Sequence, residues 1–378
     1  MVRVIRWVSK KTGKKWIHPI DTPLDKGDEI VKEVGTKTKV VGVTQVFIPN
    51  PLHPVVPYHV LILQDEHGNR MPKKTMKAYQ VGDVYEDKPS AKDNAVAAVK
   101  IKYDYFEAVD EALELIGGVK VTAKTKILIK PNASFPSYAF LGLCTNPKTV
   151  EALIQSLIKR GAKAENITLA EQSFFLPFEK AAAKSGLPEL IAKYKVKFVD
   201  IAQTKFEEKK MREFAFKVST LPNEFDLRFN VPVIKTDMLL TLDAAFENLT
   251  RFLAKDTFLE LAKDPKKAAL ALSLLPQALP SFITIGDASI GGQGNGPGEQ
   301  GEPGFFNLIF AARNPVAHDT AVAKVLCLRT PYFVELAGKL GQGEYDIKKI
   351  EFVGNEYEAL RRDIKPPIGS ALFKKEAE

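Results

Sequence analysis

The chain has 378 residues and a mass of 41.9 kDa, with 45% hydrophobic and 26% charged residues. This composition excludes a disordered or fibrous protein, and the length suggests about two or three folding units. The net charge is +8, and the excess sits at the N-terminus, where residues 1–89 hold 15 Lys and Arg against 10 Asp and Glu. Two cysteines, Cys144 and Cys327, can supply neither a multi-bridge disulfide framework nor the four thiolates of a usual iron–sulphur cluster. The most apolar stretch, residues 268–285, is broken by Pro276, Gln277 and Pro280, so no membrane span is expected. The basic N-terminus is not followed by an apolar run, which argues against a signal peptide. A cytoplasmic protein in a reducing compartment is the expectation.

In chain order, residues 39–48 and 55–63 are β-branched and apolar, and read as strands. Pro49, Pro51, Pro54 and Pro57 exclude a helix between them, and Glu66-His67-Gly68-Asn69 reads as a turn. Short strands with Gly and Pro turns predict a small all-β barrel over 1–88. His18, His53, His59 and His67 lie in this part, but with no cysteine near them a zinc site is not expected. The polar run Asp87-Lys88-Pro89-Ser90-Ala91-Lys92-Asp93 predicts a linker over 89–94.

From 95 to 378 the pattern alternates. Residues 126–130 read as a buried strand, Asn146-Pro147 caps and opens a helix that Gly161 ends, and residues 167–170 read as the next strand. This is a right-handed βαβ unit. Further strands are expected at 197–201, 238–242, 282–286 and 307–312, and helices at 244–253, 265–275, 315–326 and 332–340. The predicted fold class is α/β, a mostly parallel sheet with helices on both faces and a helical insertion at about 243–280.

Ligands of such sheets gather at the carboxyl ends of strands. Lys130 and Asn132 follow the first strand, Glu171 the second, and Asp200 and Asp287 later ones. Seven glycines between Gly291 and Gly304 could present backbone N–H groups to an anion, with Gly294, Gly296 and Gly298 at the centre. Lys235 could neutralise an anion or act as a base, and Asn248 follows it on the next helix. His318, the only imidazole beyond residue 89, stands beside Asp319 at a helix start and could move a proton or bind a metal. The sequence therefore predicts Lys235, Asp287, His318 and Asp319 as catalytic groups and Lys130, Asn132, Glu171, Asn248, Gly294, Gly296 and Gly298 as ligand-binding groups. Lys130, Asp287 and His318 are expected to line one cavity. The metal, if any, is left open.

Lys130-Pro131-Asn132, Thr145-Asn146-Pro147, Lys235-Thr236 with Asn248, Gly294-Asn295-Gly296-Pro297-Gly298 after Asp287, and Asn314-Pro315-Val316-Ala317-His318-Asp319 occur in this order. Together they resemble domain-of-unknown-function family three-six-two over roughly 95–360. That family often accompanies iron–sulphur modules and is distantly similar to nickel-pincer lactate racemases. This chain departs from the pattern: Asp237 stands where His is common after Lys-Thr, and Glu247 where Lys is common before Asn. With no cysteine-rich module and a single histidine in the large domain, neither an iron–sulphur cluster nor a nickel-pincer cofactor is expected, and the cofactor is otherwise open. Residues 39–86 separately resemble the OB-fold of the acyl-CoA-associated domain-of-unknown-function family thirty-five, without its zinc ribbon. Relatives of that barrel accompany thiolases.

The residues at the sheet edge, with the resemblances, point to binding or transformation of a small anionic molecule of the carboxylate, phosphate or acyl-CoA type. The alternative is a scaffold whose barrel docks a thiolase-like enzyme or a second copy of the chain. Nucleic-acid binding through Trp7, Trp16 and Tyr58 ranks third, because a surplus of +5 over residues 1–89 is modest.

Overall fold

A computed structural model describes residues 2–298 and 300–368. At the N-terminus β1 (Val4–Ser9) pairs antiparallel with β2 (Lys15–Ile17) and β3 (Ile30–Gly35). A second antiparallel sheet has the order β6-β5-β4-β7, from β4 (Thr38–Val46), β5 (Tyr58–Gln64), β6 (Arg70–Thr75) and β7 (Val84–Tyr85). Both sheets contribute to one apolar core, Val2 and Val4 from the first and Val40, Leu61, Leu63, Met71 and Tyr85 from the second. The turn at 66–69 forms because Asp65 accepts hydrogen bonds from the His67 and Asn69 N–H groups, at 3.0 and 2.7 Å, while Gly68 takes φ +78°. Tyr58 is buried beneath Lys74 and Trp7 stacks on His18, so both rings are engaged inside the fold.

The α/β part is built on an 11-stranded mixed sheet. Its strands are β8 (Ala95–Lys100), β9 (Ile127–Pro131), β10 (Ile167–Glu171) and β11 (Lys197–Asp200), followed, after a separate hairpin of β12 (Phe206–Met211) and β13 (Phe214–Ser219), by β14 (Leu227–Val231), β15 (Val233–Asp237), β16 (Thr241–Asp243), β17 (Ile283–Gly294), β18 (Gly301–Gly304), β19 (Leu308–Ala312) and β20 (Glu351–Val353). The path is β11-β10-β9-β14-β17-β19-β8-β20, with β15, β16 and β18 attached beside β17. Pairing is parallel from β11 through β17 and antiparallel around β19.

Side-chain alternation places helices on both faces. Ile127 and Ile129 pack under α1 (Tyr105–Leu115) and α2 (Pro147–Lys159), whereas Leu128 between them packs under the helices of the insertion. Asn146 caps α2 by accepting from Lys148 N, Pro147 opens it, and Gly161 follows it at φ +106°, as the sequence indicates. The short α3 (Phe178–Ala182) and α4 (Leu187–Tyr194) precede β11. The insertion comprises α5 (Ala245–Leu249), α6 (Lys255–Leu261) and α7 (Pro265–Ala278). Then come α8 (Pro315–Val325), α9 (Tyr332–Lys339) and α10 (Tyr357–Leu360).

Two expectations differ from the structure, and one strand was not anticipated. Residues 238–242 are a turn and the short β16 rather than a strand, because the Asp237 carboxylate accepts from both Leu239 N and Leu240 N at 2.7 Å and folds the chain back. The strand expected at 282–286 continues to Gly294 and takes half the glycine loop into the sheet. Ala95–Lys100 is a buried strand, one in from the sheet edge, despite three alanines, since it pairs on both sides with β19 and β20.

The segment expected as a linker is hydrogen-bonded: Ser90 donates from N to Leu115 O at 2.8 Å and from Oγ to Glu351 at 2.9 Å. The N-terminal sheets are held to the α/β part by buried charge. Arg3 reaches Glu107 and Asp110, each at 2.9 Å, while Asp110 also accepts from Ser156 at 2.7 Å, Lys159 at 2.8 Å and Arg160. Burial works to raise the Asp110 pKa, but the hydrogen bonds from Lys159, Ser156 and Arg160 and the charge of Arg3 outweigh it and hold the carboxyl well below the usual range. A depressed folded pKa stabilises the protein above the unfolded value and is lost as pH falls through the folded one. Asp110→Asn should therefore lower stability at neutral pH by about 3 kcal/mol. Urea titrations should show the gap from wild type narrowing toward the acid end, and a gap that is constant with pH would contradict the assignment.

Candidate functional site

The strand order reverses between β9 and β14, where an open α/β sheet ordinarily holds its ligand. Here the crevice is filled by the protein. Lys130, at 0% exposure, points its Nζ at Glu171 Oε1 (2.9 Å), Asn248 Oδ1 (3.0 Å) and Pro131 O (2.7 Å). Glu171 also accepts from Ala133 N at 2.8 Å and Gln172 N at 2.9 Å, and Asn248 donates to Asn230 Oδ1 at 2.7 Å. Burial lowers the Lys130 pKa, with the Glu171 charge opposing it. Three of the expected ligand-binding residues, Lys130, Glu171 and Asn248, thus form one closed network. Asn132 joins this region through its backbone, donating to Thr145 Oγ1 at 2.7 Å.

The expected proton-transfer group is also internal. Asp287 accepts from Asn146 N at 2.6 Å and from Ser289 N and Oγ at 3.1 and 2.7 Å, so it braces the start of α2. Burial raises its pKa, and those hydrogen bonds pull it back. His318 and Asp319 do meet, Nδ1 to Oδ1 at 2.7 Å, at 0% exposure each. Asp319 also accepts from Ala245 N at Oδ1 (2.9 Å) and from Phe246 N at Oδ2 (3.2 Å) and fixes the entry of α5. His318 Nε2 has no partner and abuts Gly286, with Phe310 edge-on to the ring at 6.2 Å. A β-carbon on Gly286 would collide with it, so this glycine is there for space.

The glycine stretch answers a packing need as well. β-Carbons on Gly291 and Gly296 would strike the backbone of Ile234 and Thr236 on β15. Within the described part of the loop only Gly294 uses positive φ, at +80°, and its N–H is bonded to Lys365 O at 2.8 Å. Gly298 O accepts from Gly301 N at 3.1 Å. These glycines let β17 and the loop press against β15, which the sequence cannot distinguish from an anion nest.

The space lies next door, under the insertion. A cavity of ≈ 290 Å³ is walled by Leu261, Ala268, Leu272 and Leu275 of the insertion, with Phe216, Leu253, Phe258 and Pro297; its polar lining is Asp237, Glu247, Thr250 and Arg251. Lys130, Asp287, His318 and Asp319 are not among its walls. The Arg251 guanidinium lies 4.6 and 5.0 Å from the rings of Phe174 and Phe258 and 4.0 Å from Glu247, and its Nη1 has no partner. Behind Glu247, Lys235 pairs with Asp243 at 2.8 Å, and Asp243 Oδ1 is buried without a donor. Burial and then the Glu247 charge push Asp243 up to about 8 despite Lys235. For Glu247, burial is outweighed by the charges of Arg251 and Lys235 and by the neighbouring Asp243, so its pKa is lowered. Of the two carboxyls, Asp243 is the one that its surroundings favour in the protonated form. Asp237 is also raised, by burial above all.

Of the residues expected from sequence, only Lys235 belongs to this group. A signal for Glu247 and Arg251 was present: they are spaced by four, the separation of one helical face, and Glu247 is one of the two positions where the family pattern is broken; Asp243, at the end of β16, carried no such mark.

Two outcomes test these assignments. Lys130→Met leaves Glu171 charged and unpaired in the interior and should destabilise the protein by about 3–5 kcal/mol, with Glu171→Gln in the same chain recovering part of it. Equal losses in the single and double variants would refute the pairing. Asp243 binds a proton in the folded state up to about pH 8 but in the unfolded state only below about 3.9. Stability should therefore fall as pH rises between those values, with a slope of up to about 1.4 kcal/mol per pH unit from this group. Asp243→Asn should remove that slope from a pH series of unfolding curves.

No curated protein matches the chain. Among solved structures, the lactate racemase apoprotein from Thermoanaerobacterium thermosaccharolyticum is similar with a TM-score of 0.35 and 14% identity, over 56% of this chain and 55% of that one. The match thus spans about half of that protein's length. Residues 127–324, more than half of the 378, match the family described as Domain of unknown function (DUF362), and the chain belongs to that family.

Proposed function

We propose that the protein binds a small molecule with an apolar body and a single anionic head in the cavity under the insertion, and exchanges a proton with it through Asp243 and Glu247. The observation that carries this reading is a buried carboxyl oxygen, Asp243 Oδ1, that has no hydrogen-bond partner and lies behind Glu247, a carboxylate of the cavity wall. A carboxyl that burial favours in its protonated form, next to a second carboxylate at a cavity, is what general acid–base chemistry requires.

Charge selects the head group. Lys235 and Arg251 bring two positive charges and Glu247 one negative charge, while burial favours the neutral forms of Asp237 and Asp243. The polar end of the cavity therefore has room for a monoanion, and Arg251 Nη1 is the donor left open for it. The apolar wall from α6 and α7 suits an aliphatic or acyl chain. Asp237 and Glu247 occupy the two positions where relatives commonly carry His and Lys, so the departures from the family pattern meet at this cavity. That supports a chemistry of this chain's own.

One observation favours a second reading, docking of a partner enzyme of the thiolase type by the N-terminal sheets. Phe47, Ile48 and Leu52, in the connection between β4 and β5, are 65%, 80% and 62% exposed.

The first reading is tested by calorimetric titration of the full chain with octanoate and with octan-1-ol in buffers of different ionisation enthalpy at pH 7–8. Octanoate should bind more tightly than the alcohol and with net proton uptake. Arg251→Met should weaken octanoate about tenfold and leave octanol unchanged. Equal affinity for acid and alcohol, or binding of neither, would overturn the reading.

A further inference from the structure

A second group of cations lies away from the cavity, where the N-terminal sheet meets the end of the chain. On β6, Lys74 Nζ is 3.4 Å from His53 Nδ1 and 4.3 Å above the Tyr58 ring. Its strand neighbours anchor β6 to the C-terminal region: Lys73 donates to Gly354 O at 2.8 Å and Asn355 Oδ1 at 2.7 Å, and Thr75 donates to Glu356 at 2.8 Å. Asn355 in turn donates to Ala98 O at 2.7 Å, two residues before Lys100 at the end of β8. Arg362 follows on the same C-terminal segment, its N–H bonded to Val325 O at 2.9 Å. This ladder of bonds brings together the segments that carry Lys74, Lys100 and Arg362, and all three are half-buried.

None of these three, nor Lys102 beside them, makes an ion pair among the described residues. Burial lowers Lys100 to about 8, and the charges that weigh most on it, Arg362, Lys74, Lys102 and Lys73, are all positive. His53 is lowered by burial and by Lys74, Lys100 and Arg362. The nearby carboxylates Asp87, Glu111 and Glu356 bear on Lys73 instead. Partly desolvated cations held together without a counter-charge are unfavourable in the empty protein and favourable only with an anion among them. Deprotonating Lys100 does not remove the conflict, because a guanidinium keeps its proton.

We propose that Lys74, Lys100 and Arg362, with His53 at the edge, form a binding site for a phosphate group carried by a small molecule. Three cations exceed what a monocarboxylate neutralises. A phosphate monoester or diphosphate brings a charge of about −1.5 to −2 and three acceptor oxygens, and the Arg362 fork can engage two of them. The cluster is confined to one junction and its aromatic neighbour Tyr58 is covered by Lys74, which favours a small ligand over a nucleic-acid strand. The site is independent of the cavity and stands or falls apart from it.

The test is thermal unfolding and calorimetric titration of the full chain with inorganic pyrophosphate at constant ionic strength, with chloride as control. Pyrophosphate should raise Tm in the wild type, and Lys100→Met and Arg362→Met should each weaken binding about tenfold. Without ligand, Lys100→Met should melt no lower than the wild type, because it removes a like charge. Should that variant not fold, Lys74→Met on the half-buried end of β6 serves the same comparison. An equal response to chloride, variants that bind as tightly as the wild type, or a single-stranded oligonucleotide that displaces pyrophosphate at equal phosphate concentration would each overturn the proposal, the last in favour of nucleic acid.

Discussion

An ionised side chain taken out of water needs a partner of opposite charge or has to give up its own charge. The side chains of Lys130, Glu171, Asp287 and Asp319 are all at 0% exposure. Each is hydrogen-bonded to a group distant in sequence, so these contacts double as the joints of the fold. Lys130 with Glu171 and Asn248 closes the crevice at the turning point of the sheet. Asp287 braces α2 and Asp319 braces α5. Arg3 and Asp110 bind the first strand to the helices of the α/β part.

The site follows from these joints. Because Asp319 holds the first turn of α5 and Asn248 ties the same helix to Lys130 and Asn230, Glu247 and Arg251 are left facing away from the sheet, toward α6 and α7. The helical insertion then roofs them with apolar side chains and leaves a cavity instead of a core. The usual ligand crevice is filled and an adjacent one is opened, with the same strands supplying the polar groups.

How much of this was legible depended on how local the physics was. Asn146-Pro147 with Gly161 encodes α2 from its own ends, and Asp65 to Asn69 encodes a turn within five residues. The polar groups at strand ends were visible for the same reason, as Lys130, Glu171 and Asp287 follow runs that are plainly strands. Their roles were not visible. Whether Lys130 meets solvent or an amide is decided by Asn248, 118 residues later. Whether the glycines bind an anion or make room is decided by β15, 56 residues before. Ala95–Lys100 has weak strand propensity and becomes a strand through its neighbours β19 and β20. The N-terminal strands β1 to β3, by contrast, are short and polar on one side, and nothing in their pattern marked them out.

The cavity carries this logic one step further. Replacing the imidazole and ammonium of the family pattern by the carboxyls of Asp237 and Glu247 moves the local charge by up to four units toward negative. Arg251 offsets one unit, and burial offsets more by favouring the protonated forms of Asp237 and Asp243. A site balanced by a residue has a fixed charge, whereas a site balanced by a proton adjusts to what enters it: an anion beside Arg251 favours retention of the proton, and a neutral or cationic head favours its release. In the proposed reading the carboxyl pair couples the charge of a ligand to the position of a proton, which the Lys130–Glu171 pair does not offer, since both Glu171 oxygens already accept hydrogen bonds.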